Sequence, residues 1–384
     1  MPYLEHLQIE TDLYYPNPNK RIRDPDPYTY IMHASRFPVL RSLVVRDVYI
    51  NMDMSLCRNL CFLHLGHGQK VARSLPLADF LYSLQSCVEL KRLWVDRYID
   101  ISTPLGPRPP LLLQRLKQLT HIRFSDEPRV VSAILSQLVI PPHVDVATIA
   151  YAGALPYLAF QAMLPDDTDK LQIMRGATEI SICDVEGRGR GTSAIIPGPN
   201  IAVAFRRELF PDNGFDLKRD HDGVLLAAMI GFLDVYKRSP VRTLKVVGNL
   251  RYTHPAHWAT AFNCFPSLEV LEVEDTQPTP SPALYALFQA LQATSGQNQQ
   301  ISACPRLRRF CFAGNIYSGH PLEMVYQCFS KRHDPESGTQ PLRELVLQVN
   351  LDPDTEWRPA LGSIYYKKLR SVVRTVDLCI VAPS

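Results

Sequence analysis

No Cys-x-x-Cys pair occurs among the nine cysteines, which are scattered and odd in number. That argues against a disulfide framework and for reduced thiols, as expected of a cytoplasmic or nuclear protein. An excess of one charge is lacking too: 41 Lys plus Arg stand against 38 Asp plus Glu, for a net charge of +3. So even a balance argues against nucleic acid or an anionic membrane as the main partner. Phosphate-binding glycine-rich loops, Gly-x-Ser-x-Gly elbows and His-Glu-x-x-His helices are missing, so the chain is not expected to be an enzyme and no cofactor is called for. The opening MPYLEHLQIE lacks a basic segment followed by an apolar core and is not expected to act as a signal peptide. One uncharged run, Val146 to Pro165, contains Thr148, Gly153, Pro156 and Gln161. It divides into a short strand and a short helix rather than the roughly 20 apolar residues of a membrane span.

What the chain does have is proline, 32 residues against 18 glycines, in a sequence that is 46% hydrophobic and 21% charged. Proline at that level without low complexity marks many stiff connections between short elements. It also has a recurring phrase, Leu-x-x-Leu-x-Val with apolar variation. Copies stand at Leu4-Leu7-Ile9, Leu40-Leu43-Val45, Leu60-Leu63-Leu65, Leu90-Leu93-Val95 and Leu119-Ile122-Phe124. They return at Leu268-Leu271-Val273, Leu307-Phe310-Phe312 and Leu342-Leu345-Leu347, with looser copies beginning at Val146, Ala177, Val241 and Val373.

The flanks repeat as well. Three residues before the first leucine stand Phe37, Cys57, Cys87, Leu116, Phe265 and Cys304, and proline follows Phe37, Phe265 and Cys304. Between phrases, Leu77–Leu84, Val130–Leu138, Val224–Tyr236, Ala283–Leu291 and Pro321–Phe329 carry apolar residues at helical spacing. A strand plus a helix of this kind cannot bury its apolar side alone, but copies stacked side by side can. The spacing therefore predicts an α/β fold: an irregular leucine-rich-repeat solenoid, or horseshoe, of about eleven or twelve units over residues 1–384. Parallel strands would line its concave side and helices its convex side. Insert loops are expected near 11–36 and 183–222, with Ile201 to Phe205 as a possible extra strand.

The phrases FPVLRSLVV, CVELKRLWVD, FPSLEVLEVED and CPRLRRFCFAG resemble the repeat region of the F-box/leucine-rich-repeat-like family of mushroom-forming fungi. The resemblance covers nearly the whole chain. It implies a protein-binding repeat domain that selects substrates for a cullin ubiquitin ligase. In that family an N-terminal F-box of roughly forty residues binds a Skp-type adaptor ahead of the repeats. Here the first phrase begins at Met1 and no F-box segment is found, so an adaptor is expected only if an F-box lies upstream. The alternative is a stand-alone regulatory scaffold without a ubiquitin role.

In a Leu-x-x-Leu-x-Val strand the apolar residues point inward and the residues between them point to the open face. That gives a row of Gln8, Val44, His64, Trp94, Arg123, Ser181, Lys245, Glu272, Cys311 and Val346. A flanking row holds Glu10, Arg46, Asp96, Ser125, Glu274 and Gln348. His64, Arg92, Trp94, Asp96, His121 and Arg123 are the expected partner-binding residues, since Trp and Arg dominate binding hot spots. Glu272 and Glu274, with Asp275, form a second, acidic patch that on an open sheet is a solvated face rather than an acid–base pair. His254-x-x-His257 with Cys264 lacks a second ligand pair of matching spacing, so no metal is expected. Gly187-Arg188-Gly189-Arg190-Gly191 reads as a hairpin loop between two strands.

Overall fold

The computed structural model describes residues 3–10, 29–52, 54–67, 74–103, 111–112, 116–141, 143–152, 162–164, 176–186, 192–197, 201–207, 229–230, 233, 236–277, 282–295, 300–301, 303–316, 320–334, 337–351 and 359–381. They fall into two compact units. One spans Met1–Leu155, Ala159–Ile173 and Asn200–Arg206; the other spans Pro156–Leu158, Met174–Pro199 and Arg207–Ser384.

In the first unit, successive copies of the phrase become successive neighbours in a parallel sheet. The order is β1 (His6–Glu10), β3 (Ser42–Arg46), β5 (Phe62–Gly66), β7 (Arg92–Asp96), β10 (His121–Asp126) and β12 (Asp145–Ala152), with β15 (Ile201–Arg207) beside β12. Short second strands lie between them and pair in parallel: β2 (Thr29–Met32) with β4 (Tyr49–Met52), β6 (Leu75–Pro76) with β8 (Ile99–Asp100), and β9 (Leu111–Leu112) with β11 (Leu138–Val139). Helices α1 (Met54–Cys57), α2 (Leu77–Leu84) and α3 (Pro128–Ser136) belong to the same unit.

The reason for this order lies in the flanking residue. The carbonyls of Phe37, Cys57, Cys87 and Leu116 each accept the N–H of the leucine three residues on, closing a turn that aims the chain into the sheet. Leu43, Leu63, Leu93 and Ile122 then stack in register on the inner face, all buried. One buried leucine side chain is worth about 1.5–3 kcal/mol, so a column of them specifies register strongly.

The second unit repeats the scheme. Its sheet runs β14 (Thr192–Pro197), β13 (Glu179–Glu186), β16 (Thr243–Gly248), β17 (Val270–Asp275), β20 (Arg309–Ile316), β21 (Glu344–Leu351) and β22 (Thr375–Val381). Helices α4 (Pro255–Cys264), α5 (Ala283–Leu291), α6 (His320–His333) and α7 (Pro359–Arg370) pack in sequence against one another. Ile180, Leu244, Leu271, Phe310 and Leu345 form its inner column, all buried. No sheet closes into a barrel among the described residues.

Several expectations need correction. The segment 183–222 is not simply a loop: β13 and β14 pair antiparallel around the Gly-Arg-Gly-Arg-Gly run, and β15 follows. The sheet of the second unit is therefore mixed. Residues 29–36, expected within a loop, form β2 and a 3-10 turn over Ala34–Arg36. A second short hairpin, β18 (Thr294–Ser295) with β19 (Gln300–Ile301), occupies the connection after α5.

The looser phrase at Val146 is shifted by one residue. Its turn closes from Pro141 to Val144, and the strand starts at Asp145. Val146 and Thr148 therefore pair with Ile122 and Phe124 and point inward, whereas Ile149 does not. A period of two means that one residue fewer flips every side chain. Most of Val224–Tyr236 and all of Gly187–Gly191 lie outside the described residues, although Met229, Ile230, Leu233 and Tyr236 are helical.

Candidate functional site

The open face of the first unit is built from the residues between the leucines. Parallel pairing sets Gln8, Val44, His64, Trp94 and Arg123 in one in-register row. A second row runs Ser42, Phe62, Arg92, His121 and Asp145, and a third Glu10, Arg46, Gly66, Asp96 and Ser125. Adjacent strands lie about 4.8 Å apart, so these side chains are forced neighbours.

Trp94 sits at the middle, half-buried. Phe62 meets it edge-on at 5.2 Å and 87°, and His64 at 5.5 Å and 72°. Such geometry matches the quadrupoles of the rings. The Arg123 guanidinium lies 5.9 Å from the Trp94 ring centroid, within cation–π range. Gly66 leaves the room His64 needs: a Cβ there would stand 3.2 Å from the imidazole Nε2.

Charge on this face is partly consumed internally. Arg46 pairs with Glu10 at 3.6 Å, and His121 Nε2 lies 3.3 Å from Asp145 while its Nδ1 contacts the Thr120 hydroxyl at 2.8 Å. Burial, followed by the fields of Arg46 and Arg123, pushes the His64 imidazole down to about 4. His64 is thus a neutral ring at physiological pH. Arg92 is exposed, between Phe62 and His121 in the second row, with no carboxylate in ion-pair contact among the described residues. The result is a half-buried tryptophan between Phe62 and His64, with the Arg123 guanidinium over its ring and Arg92 two residues before it on the same strand.

The second unit presents a different surface. Ser181, Lys245, Glu272, Cys311 and Val346 share its central row, as the phrase predicts. Lys245, Glu272, Glu274, Arg309 and Cys311 line a shallow depression of about 190 Å³. Arg309 bridges Glu272 at 4.0 Å and Glu344 at 3.5 Å, and burial pushes the Cys311 thiol up. Glu272 is engaged in that bridge and Glu274 is exposed, so the two carboxylates do not share an enclosed pocket. No protein-family model matches the chain, and no curated protein does.

Three assignments made from the phrase change. Asp275 does not join the acidic patch: it is buried, and its Oδ1 accepts the N–H groups of Leu250 at 3.3 Å and Gln277 at 3.2 Å. Ser125 and Ser181 stand in the expected rows but are buried rather than open. The six first-unit residues read from sequence do gather on one face, whereas Glu272 and Glu274 belong to the other unit. Phe62 is the residue sequence reading missed. It stands two before His64, in a position of the phrase occupied elsewhere by Ser42 and Arg92, and only register brings it against Trp94.

His254 and His257 serve the backbone. His257 Nδ1 accepts the N–H of His254 at 3.0 Å, capping α4. No group of three or more metal-binding side chains gathers among the described residues, and no helix among them is long and apolar enough to cross a membrane. None of the eight cysteines whose side chains are described forms a disulfide.

Proposed function

We propose that the chain is an irregular leucine-rich-repeat solenoid that binds another protein on its open face, as a substrate-recognition module related to the F-box receptors of cullin ubiquitin ligases. It works in the cytoplasm or nucleus, where its cysteines remain thiols. The carrying observation is Trp94, half-exposed on a strand yet fixed edge-on by Phe62 and His64, with Arg123 over its ring. An indole held rigid at the surface serves no core, and a partner that covers it gains large apolar area at little entropic cost. Arg92 and Arg123 supply charge-assisted bonds at the edge of that contact.

Charge reversal at Arg92 and Arg123 combined with Trp94→Ala is expected to abolish retention of the partner in pull-downs, with circular dichroism and melting temperature unchanged. Retention by the triple variant would place the binding face elsewhere. An in-frame F-box encoded ahead of Met1, with co-purification of a Skp-type adaptor, tests the ligase half of the reading. Without them the same face belongs to a free-standing scaffold.

A further inference from the structure

We infer that the strand-entry edge of the second unit is a docking surface for an acidic peptide segment, independent of the Trp94 face. The residue just before each of the last five strands there, β16, β17, β20, β21 and β22, is Arg242, Glu269, Arg308, Arg343 and Arg374 in turn, and Thr178 holds the same place before β13. Backbone bonds tie them rung to rung: Glu269 donates to the Arg242 carbonyl, Arg308 to that of Glu269, and Arg343 to that of Arg308, each at 2.8 Å. The N–H of Thr375, next to Arg374, donates to the Arg343 carbonyl at 2.9 Å. The row is therefore a ladder at the strand spacing of about 4.8 Å. Arg370 joins its far end by donating to the Arg374 carbonyl.

Charge on this ladder is only partly compensated. Glu269 is its one carboxylate, 3.9 Å from both Arg242 and Arg308, and Arg308 Nε donates to Gln340 at 2.9 Å. Arg343 and Arg374 are exposed on adjacent rungs with no ion-pair partner among the described residues. Like charges facing each other across strands are destabilising, so an anionic occupant would relieve the row as well as bind it.

The fold does not require arginine at this position. In the first unit the same place holds Arg41, Cys61, Lys91 and Thr120, and those strands pair equally well. From Arg242 to Arg374 the ladder covers four strand spacings, about 19 Å, the length of roughly six extended residues. Two features favour a peptide over a nucleic acid. Glu269 interrupts the cationic row, and the next row inward (Thr243, Val270, Arg309, Glu344, Thr375) has no aromatic ring on which a base could stack.

The test uses the full chain and a fluorescein-labelled peptide of about eight glutamates, read by anisotropy, with a glutamine peptide and a single-stranded oligonucleotide of equal length as comparisons. Arg343→Glu with Arg374→Glu is expected to weaken glutamate-peptide binding at least about tenfold, while Trp94→Ala leaves it unchanged. Arg343→Gln with Arg374→Gln, a milder change that keeps the surface polar, should weaken it in the same direction. Equal binding by all variants, or equal binding of the glutamine peptide, would overturn the proposal. So would an oligonucleotide that binds more tightly than the glutamate peptide, which would assign the ladder to nucleic acid. None of these outcomes bears on the Trp94 face.

Discussion

Arg332, fully buried in α6, donates through both terminal guanidinium nitrogens to the backbone carbonyls of Ala303 and Cys304. Cys304 is the residue whose carbonyl also closes the turn into β20, and its φ of 45° is one that side-chain-bearing residues rarely adopt. The arginine thus holds a strained turn at the entrance to a strand. Its own carbonyl accepts from the hydroxyls of Ser337 at 3.3 Å and Thr339 at 3.1 Å, tying the loop after α6 to the same point.

Arg332→Met is therefore expected to destabilise the protein by roughly 3 kcal/mol, since it removes two charge-assisted bonds to buried carbonyls, leaving Cys304 only the Leu307 N–H, while keeping most of the volume. Arg332→Lys should recover only part of this, because one ammonium cannot reproduce the fork. Urea unfolding of the two variants checks the order. A methionine variant as stable as the parent would show the turn to be self-supporting.

Asp126 closes β10 with its Oδ1 accepting the Glu127 N–H at 2.7 Å and its buried Oδ2 without a partner among the described residues. Burial pushes its carboxyl up to about 7 from 3.8, with Glu127 and Asp96 adding to the shift and the Glu127 N–H and Arg97 opposing it. Between those two values only the folded state holds the proton, so this group's contribution to stability falls as pH rises from 3.8 to 7. Above pH 7 the penalty is complete, at most about 4 kcal/mol. Asp126→Asn keeps the acceptor and removes the charge. It should stabilise the protein relative to the parent at pH 8 and much less at pH 5, and equal effects at both pH values would contradict the assignment.

His64 acts in the opposite sense. Its folded value of about 4 lies below the ordinary 6.5, so as pH falls through that window the unfolded chain takes up a proton that the folded one refuses. Its contribution is complete above 6.5 and is lost towards pH 4. An imidazole proton resonance assigned to His64 should titrate near pH 4, and Arg123→Gln should move the midpoint upward. A midpoint near 6.5 in the parent would mean that the ring is not desolvated by Phe62 and Trp94 as described.

Much of the scaffold is legible in the sequence. The ten residues placed by the phrase on the central row form two in-register rows of five on parallel strands, one in each unit. Leu77–Leu84 and Ala283–Leu291 are helices with those bounds. Both follow from local periodicity, because leucines three and two apart can be buried together only if the strand starts where the turn leaves it. The Val146 copy failed for the same reason: its turn is one residue closer to the strand, a difference no apolar pattern marks. Thr148 consequently points inward, with its hydroxyl buried and unpartnered among the described residues.

By itself the sequence determined, for the strict copies of the phrase, which residues turn inward, which face outward, and that successive copies become neighbouring parallel strands within each unit, because the period of each phrase leaves the leucines one side to bury. Tertiary structure alone decided what the outward residues do. Whether Trp94 stands against Phe62, whether Asp275 caps a backbone or joins Glu272, and whether four arginines form one ladder all depend on lateral neighbours about 25 to 40 residues away. Those meetings are set by hydrogen-bonded register across strands, which no single stretch of chain contains.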